Sequence, residues 1–141
     1  YRITSVAEYS DYEERIELEN RVWGVSLDKA WFRGKSSAPS YSFEWDLVVI
    51  SPKEQMVAHS LVWRYPKIQS AEIDPLGMHP EFRKRGLSRA LVLESFKRMR
   101  DSGLHYAYIA SEAQDQVVSH LYSSLQPIEL YQGYQWSKHI S

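Results

Sequence analysis

From residue 1 to residue 6 apolar and polar side chains alternate, the period of a half-buried strand. Tyr9, Tyr12, Ile16, Glu19 and Trp23 then recur at helical spacing and predict a first helix. A second, short helix is expected over residues 26–32, capped by Ser26, before Gly34 and the run Ser36-Ser37-Ala38-Pro39-Ser40 impose a loop. Residues 46–50 and 56–63 are two apolar runs joined by the turn residues Ser51-Pro52-Lys53-Glu54-Gln55, the pattern of an antiparallel hairpin of buried strands. Residues 71–78 form a further strand containing Pro75, which has no N–H to give to a ladder; an edge, a bulge or a local break in pairing is expected there.

The next pattern is the clearest. Leu87, Ala90, Leu91, Glu94, Ser95, Arg98 and Met99 trace a long helix whose apolar stripe takes in Val92 and Phe96, and Ser102-Gly103 supplies its stop. A short buried strand over 106–110 follows. Val117, Val118, Leu121, Tyr122 and Leu125 then share one helical face, which Pro127 ends. Residues 128–140 alternate, with Tyr134, Trp136 and Lys138 on one face and Gly133 at a bend or hairpin tip. The order β-α-α-β-β-β-α-β-α-β describes an α+β domain with a mixed sheet covered by helices.

Composition narrows the class of function. The chain of 141 residues is 43% hydrophobic, the material of one compact domain. Its 17 basic and 18 acidic residues nearly cancel, so no bulk field points to nucleic acid or to an anionic membrane, and neither is expected as a partner. With no cysteine there are no disulfides, thiolate metal sites or cysteine nucleophiles. No apolar run nears the ~20 residues of a membrane span, and no signal-peptide pattern opens the chain, so a soluble, cytoplasmic protein is expected. Tyr1 is not an initiator methionine, which suggests a chain trimmed or cut from something longer.

The chemistry concentrates in Met78-His79-Pro80-Glu81-Phe82-Arg83-Lys84-Arg85-Gly86-Leu87-Ser88-Arg89-Ala90. A glycine just before a helix lets the backbone turn tightly, and the first helical turn leaves N–H groups unpaired at the positive end of the dipole. Such a turn accepts phosphate, with Lys84, Arg85 and Arg89 adding charge at its rim and the small Ser88 permitting close approach. In the strand before it, Glu72 and Asp74 stand two apart, on one face if the strand is regular, where they can accept a proton or attract an ammonium group. Ordinary solvated strand carboxylates are the equal alternative.

The spacing Arg83-x-x-Gly86-x-Ser88, shortly after Met78 and followed by Leu91 in a helix, resembles the acetyl-CoA-binding motif of the GNAT acetyltransferases, Arg/Gln-x-x-Gly-x-Gly/Ala. The order of elements is similar over nearly the whole chain. The resemblance implies a single domain over residues 1–141, with a mixed, mostly antiparallel central sheet of six to seven strands, about four flanking helices and a β-bulge in the central strand. It also implies an N-acetyltransferase that uses acetyl-CoA as co-substrate, needs no metal, and acts as a monomer or homodimer on a small-molecule or peptide amine. On this resemblance the cofactor lies against the backbone of Leu76, Gly77 and Met78 and on the cradle formed by Arg83, Lys84, Arg85, Gly86, Leu87, Ser88 and Arg89. Glu72 takes the place of a general base, with Asp74 or a water in reserve, and Tyr122 that of the acid for the departing thiolate. A core-filling tyrosine is the alternative for Tyr122.

Three departures mark the chain. Ser88 replaces the usual Gly or Ala, Leu121-Tyr122-Ser123-Ser124-Leu125 runs on into Gln126-Pro127 where Gly-Phe is common, and residues 111–115 offer no clear counterpart to a usual Asn. Trp23, Trp31 and Trp63 are candidate walls of the acceptor site, with core packing an equally good account. His59 and His79 are weaker candidates for the same pocket, and none of the five histidines shares a metal-ligand spacing. Two rival readings remain: an acyl-CoA-binding or sensing module without turnover, and, more weakly, a nucleic-acid binder using Arg83-Lys84-Arg85.

Overall fold

A computed structural model describes residues 1–110, 116–129, 133 and 137–140. The chain divides into two units, Tyr1–Ala110 and Ser111–Ser141. The first holds β1 (Arg2–Ser5), α1 (Tyr12–Trp23), α2 (Lys29–Ser36), β2 (Asp46–Ile50), β3 (Met56–Tyr65), β4 (Ser70–Met78), α3 (Leu87–Asp101) and β5 (Tyr106–Ile109), and the second holds α4 (Gln116–Ser123). Among the described residues no helix is long and apolar enough to cross a membrane.

The strands form one sheet in the order β1-β2-β3-β4-β5, antiparallel except for the parallel pair β4/β5. The α+β class and the mixed, mostly antiparallel sheet are as expected. The strand count is lower: five strands, not six to seven, occur among the described residues. The strand expected over 128–140 accounts for the difference. Residues 130–132, 134–136 and 141 lie outside the described set, and residues 128, 129, 133 and 137–140 adopt no strand.

Alternation along the sheet separates two cores. Val48, Ile50 and Met56 face Ile16 and Leu18 of α1 and Phe32 of α2, whereas Leu47, Val49, Val57 and Ala58 face Leu91 of α3. The hairpin β2/β3 is the spine of both, and its strands match the two apolar runs of the sequence. α3 ends as expected, with Ser102 as C-cap and Gly103 at φ +85°.

α2 begins later than its pattern implied. Asp28, not Ser26, is the N-cap and accepts the Trp31 N–H, and the helix runs on through Gly34 to Ser36. Asn20 explains the delay. Its side chain accepts the Leu27 N–H at 2.7 Å and donates to the Leu27 carbonyl at 3.1 Å, so the backbone at Leu27 is already engaged and stays outside the helix.

Candidate active site

β4 has two different halves. Its parallel pairing with β5 runs from Ser70↔Tyr106 to Ile73↔Ile109 and stops there. Its antiparallel pairing with β3 continues but slips: Val62 faces Ile73 and Ser60 faces Leu76, so β4 carries an extra residue where Asp74 and Pro75 stand. Of the edge, bulge or break expected at Pro75, the strand forms a bulge. Beyond it Leu76, Gly77 and Met78 pair with Ser60, His59 and Ala58, while their opposite edge has no β5 partner. Among the described residues no strand takes up the backbone polar groups of that edge.

From Met78 the chain enters a tight connection. The His79 N–H donates to the Val57 carbonyl, and His79 Nδ1 accepts the Glu81 N–H at 3.2 Å, shaping a single turn over Pro80–Phe82. Lys84 and Gly86 then take left-handed conformations, φ +60° and +75°, and α3 starts. The first helical bond runs from the Ala90 N–H to the Gly86 carbonyl. The N–H groups of Leu87, Ser88 and Arg89 have no acceptor among the described residues, and no side chain caps them. A Cβ added at Gly86 would meet nothing within 4 Å, so the demand for glycine there is conformational.

Arg83, Lys84 and Arg89 are exposed around this turn. Arg85 is tethered instead: it donates to the Tyr1 hydroxyl at 2.9 Å and to the Glu81 carbonyl at 3.2 Å, and lies over the Phe82 ring. The turn thus offers aligned N–H donors, a positive helix end and exposed cations, a fit for a pyrophosphate. The unpaired edge of Leu76–Met78 leads into it.

On the α1 side of the sheet, Glu72 is half-buried and accepts from the Tyr65 hydroxyl at 3.4 Å. Asp74 is exposed in the bulge, and its carbonyl accepts the Trp63 indole N–H at 2.6 Å. Because the bulge follows Asp74 directly, Leu76 packs on the α3 side instead of continuing that face. Trp31 packs against the α1/α2 core, and Trp23 is half exposed with its edge toward the His59 ring. Tyr122 lies on α4, in the second unit.

Sequence reasoning missed the buried polar cluster beneath this face. Arg15, fully enclosed, donates to Glu19 at 2.6 Å and to Asp46 at 3.2 Å; Asp46 also accepts from Tyr41 at 2.8 Å and Lys35 at 3.4 Å. Burial pushes the Tyr41 hydroxyl well above the usual phenol range, with the Asp46 charge acting the same way. Burial also lowers the Lys35 ammonium against the pull of Asp46. His59 sits at the edge of this cluster, 3.4 Å from Glu19, with no hydrogen bond to either ring nitrogen among the described residues, and burial followed by the Arg15 and Lys35 charges favours its neutral form. The signal in the sequence was slight: polar residues falling on the core side of α1 and β2. Among the described residues no group of His, Asp or Glu is arranged to hold a metal.

The model of the acetyltransferase (GNAT) family matches residues 10–125. No curated protein matches the sequence. Among solved structures, the ribosomal-protein-S18-alanine N-acetyltransferase from Escherichia coli superimposes with a TM-score of 0.71 at 18% identity, over 88% of this chain and 75% of that one. The aminoglycoside antibiotic 6'-N-acetyltransferase AAC(6')-Ih from Acinetobacter baumannii gives 0.72 at 15% identity, over 99% of each. AAC(6')-IG from Acinetobacter haemolyticus gives 0.67 at 21% identity, over the full length of both.

Proposed function

The chain is an acyltransferase belonging to the acetyltransferase (GNAT) family, and on that premise we propose that it transfers an acetyl group from acetyl-CoA directly to a primary amine within a ternary complex. One observation carries the reading: the N–H groups of Leu87, Ser88 and Arg89, which have no acceptor among the described residues, follow the stretch of β4 that β5 does not pair. The first feature suits a pyrophosphate and the second an extended amide-bearing arm. In this reading Arg83, Lys84 and Arg89 hold phosphate from the rim, and Arg85, bound to Tyr1 and Glu81, mainly stiffens the turn.

Acetyl-CoA supplies an activated thioester. The protein's part is to orient it, to take a proton from the attacking ammonium and to return one to the departing thiolate. Backbone groups at Leu76–Met78 are the donors nearest in kind to an oxyanion site. Glu72, Asp74 or a water they hold accepts the amine's proton, and Tyr122 donates to sulfur. The amine attacks the carbonyl carbon, the C–S bond breaks, and no acyl-enzyme forms. Two acceptor classes come first for assay, an alanine amine of a ribosomal protein and an aminoglycoside amine, because solved neighbours are named for acting on them.

Calorimetric titration with acetyl-CoA and with free CoA tests the reading. Saturable binding at micromolar concentration, lost when Gly86→Val forces a β-branched residue into the left-handed turn, supports it. A folded protein that binds neither ligand refutes it.

A further inference from the structure

We propose that Trp63 is a positioning residue for the thioester, acting through the β4 bulge rather than as a wall of the acceptor pocket. The inference rests on the reading of Leu76–Met78 as the edge along which the acyl-CoA arm lies. Its starting point is a gap in the sheet's bonding. The peptide linking Asp74 to Pro75 brings an acceptor but no donor, since proline lacks an N–H. β5 has ceased to pair at Ile109, and the extra residue in β4 takes Asp74 out of register with β3. The Asp74 carbonyl thus stands outside the ladder at an exposed position, and the Trp63 indole meets it at 2.6 Å.

The indole is held in place from behind. The Trp63 ring meets the Tyr41 ring at 68°, with centroids 6.4 Å apart. The Tyr41 hydroxyl donates to buried Asp46 at 2.8 Å, and Asp46 is gripped in turn by Arg15. A side chain locked by packing and by a partner's hydrogen bond presents its donor with little entropy left to lose. The relay runs from a buried ion pair to an aromatic contact to one N–H, and ends on Asp74, two residues before the unpaired edge. Its effect is to fix where β4 leaves β5, and hence where Leu76, Gly77 and Met78 lie. Since its single polar atom is spent on Asp74, Trp63 has none left for an acceptor.

Trp63→Phe keeps a ring against Tyr41 and removes only the donor. Two ligands separate its local effect from general damage: acetyl-CoA, which needs both turn and strand edge, and adenosine 3′,5′-bisphosphate, which reaches the turn alone. The variant is expected to bind acetyl-CoA roughly tenfold more weakly, the loss of one good hydrogen bond, and the bisphosphate unchanged. In 15N-labelled wild-type protein the Trp63 indole signal should be exchange-protected, and in the variant the amide signals of Leu76, Gly77 and Met78 should shift. Equal losses for both ligands, or no loss for either, overturn the proposal while leaving the cofactor reading intact. A wild-type protein that binds neither ligand sinks both.

Discussion

His59 of β3 lies flush against Gly77 of β4: a Cβ placed at residue 77 would come within 2.4 Å of His59 Nε2 and 2.8 Å of Val22 Cγ1. The histidine occupies the space that residue 77 would otherwise claim on the α1 side, so the strand edge assigned to the acyl-CoA arm rests on an imidazole. Gly77→Ala should therefore destabilise the protein by about 1–3 kcal/mol, the usual cost of overpacking, as read by urea denaturation. Adding His59→Ala removes the nearer obstacle and leaves Val22, and the double variant should be more stable than the sum of the two single losses predicts. Strict additivity would show that the His59 contact is not the cause and leave the one with Val22.

Stability should also depend on pH through His59. Its folded-state pKa lies well below the ordinary value because burial, then Arg15 and Lys35, disfavour the imidazolium. Below the unfolded value of about 6.5 the unfolded chain therefore binds a proton that the folded chain refuses, so stability falls as pH falls. The slope contributed by this one group approaches about 1.4 kcal/mol per pH unit until the folded pKa is reached. His59→Gln should flatten the curve between pH 6.5 and 5 relative to wild type, measured as urea midpoints across that range. Parallel curves would assign the acid sensitivity to other groups.

Lys84 holds a left-handed conformation at φ +60° in the turn before α3. That strain is relieved by glycine and kept by alanine, so Lys84→Gly should be more stable than Lys84→Ala by about 1 kcal/mol. Both variants lose the same rim charge. Acetyl-CoA affinity should fall alike in both, by a factor that shrinks as salt rises, while thermal midpoints diverge. If glycine instead bound several-fold more weakly than alanine, the rigidity of the turn would matter more than its charge.

How far these features were legible depends on how local they are. The hairpin 46–50/56–63, the long α3 and the disturbance at Pro75 could be read because each is written in consecutive residues: alternation, a helical stripe, a missing N–H. The turn 83–89 was legible for the same reason, its glycine falling just before a helical pattern. The start of α2 was not, because a side chain from α1, Asn20, decides it from seven residues away. Nor was the cluster of Arg15, Glu19, Asp46 and Tyr41, since Arg15 and Asp46 are separated by 31 positions and their cost is offset only once both are buried together. Trp63 shows the limit best: its ring was visible in the sequence, but the carbonyl it serves exists only because the strand bulges.

If Tyr122 protonates the leaving thiolate, its hydroxyl matters after the ternary complex has formed, so Tyr122→Phe should lower kcat by roughly 10²-fold or more while leaving the calorimetric affinity for acetyl-CoA unchanged. Glu72→Gln should act on the other limb. Removing a base that takes the amine's proton lowers the rate most at acid pH, where the free amine is scarce, and least where the acceptor is already neutral. Asp74, exposed in the bulge, serves as the comparison: should Asp74→Asn reproduce that pH-dependent loss and Glu72→Gln not, the base is Asp74. A Tyr122→Phe enzyme with normal kcat would remove the phenol from the mechanism and leave solvent to protonate the thiolate.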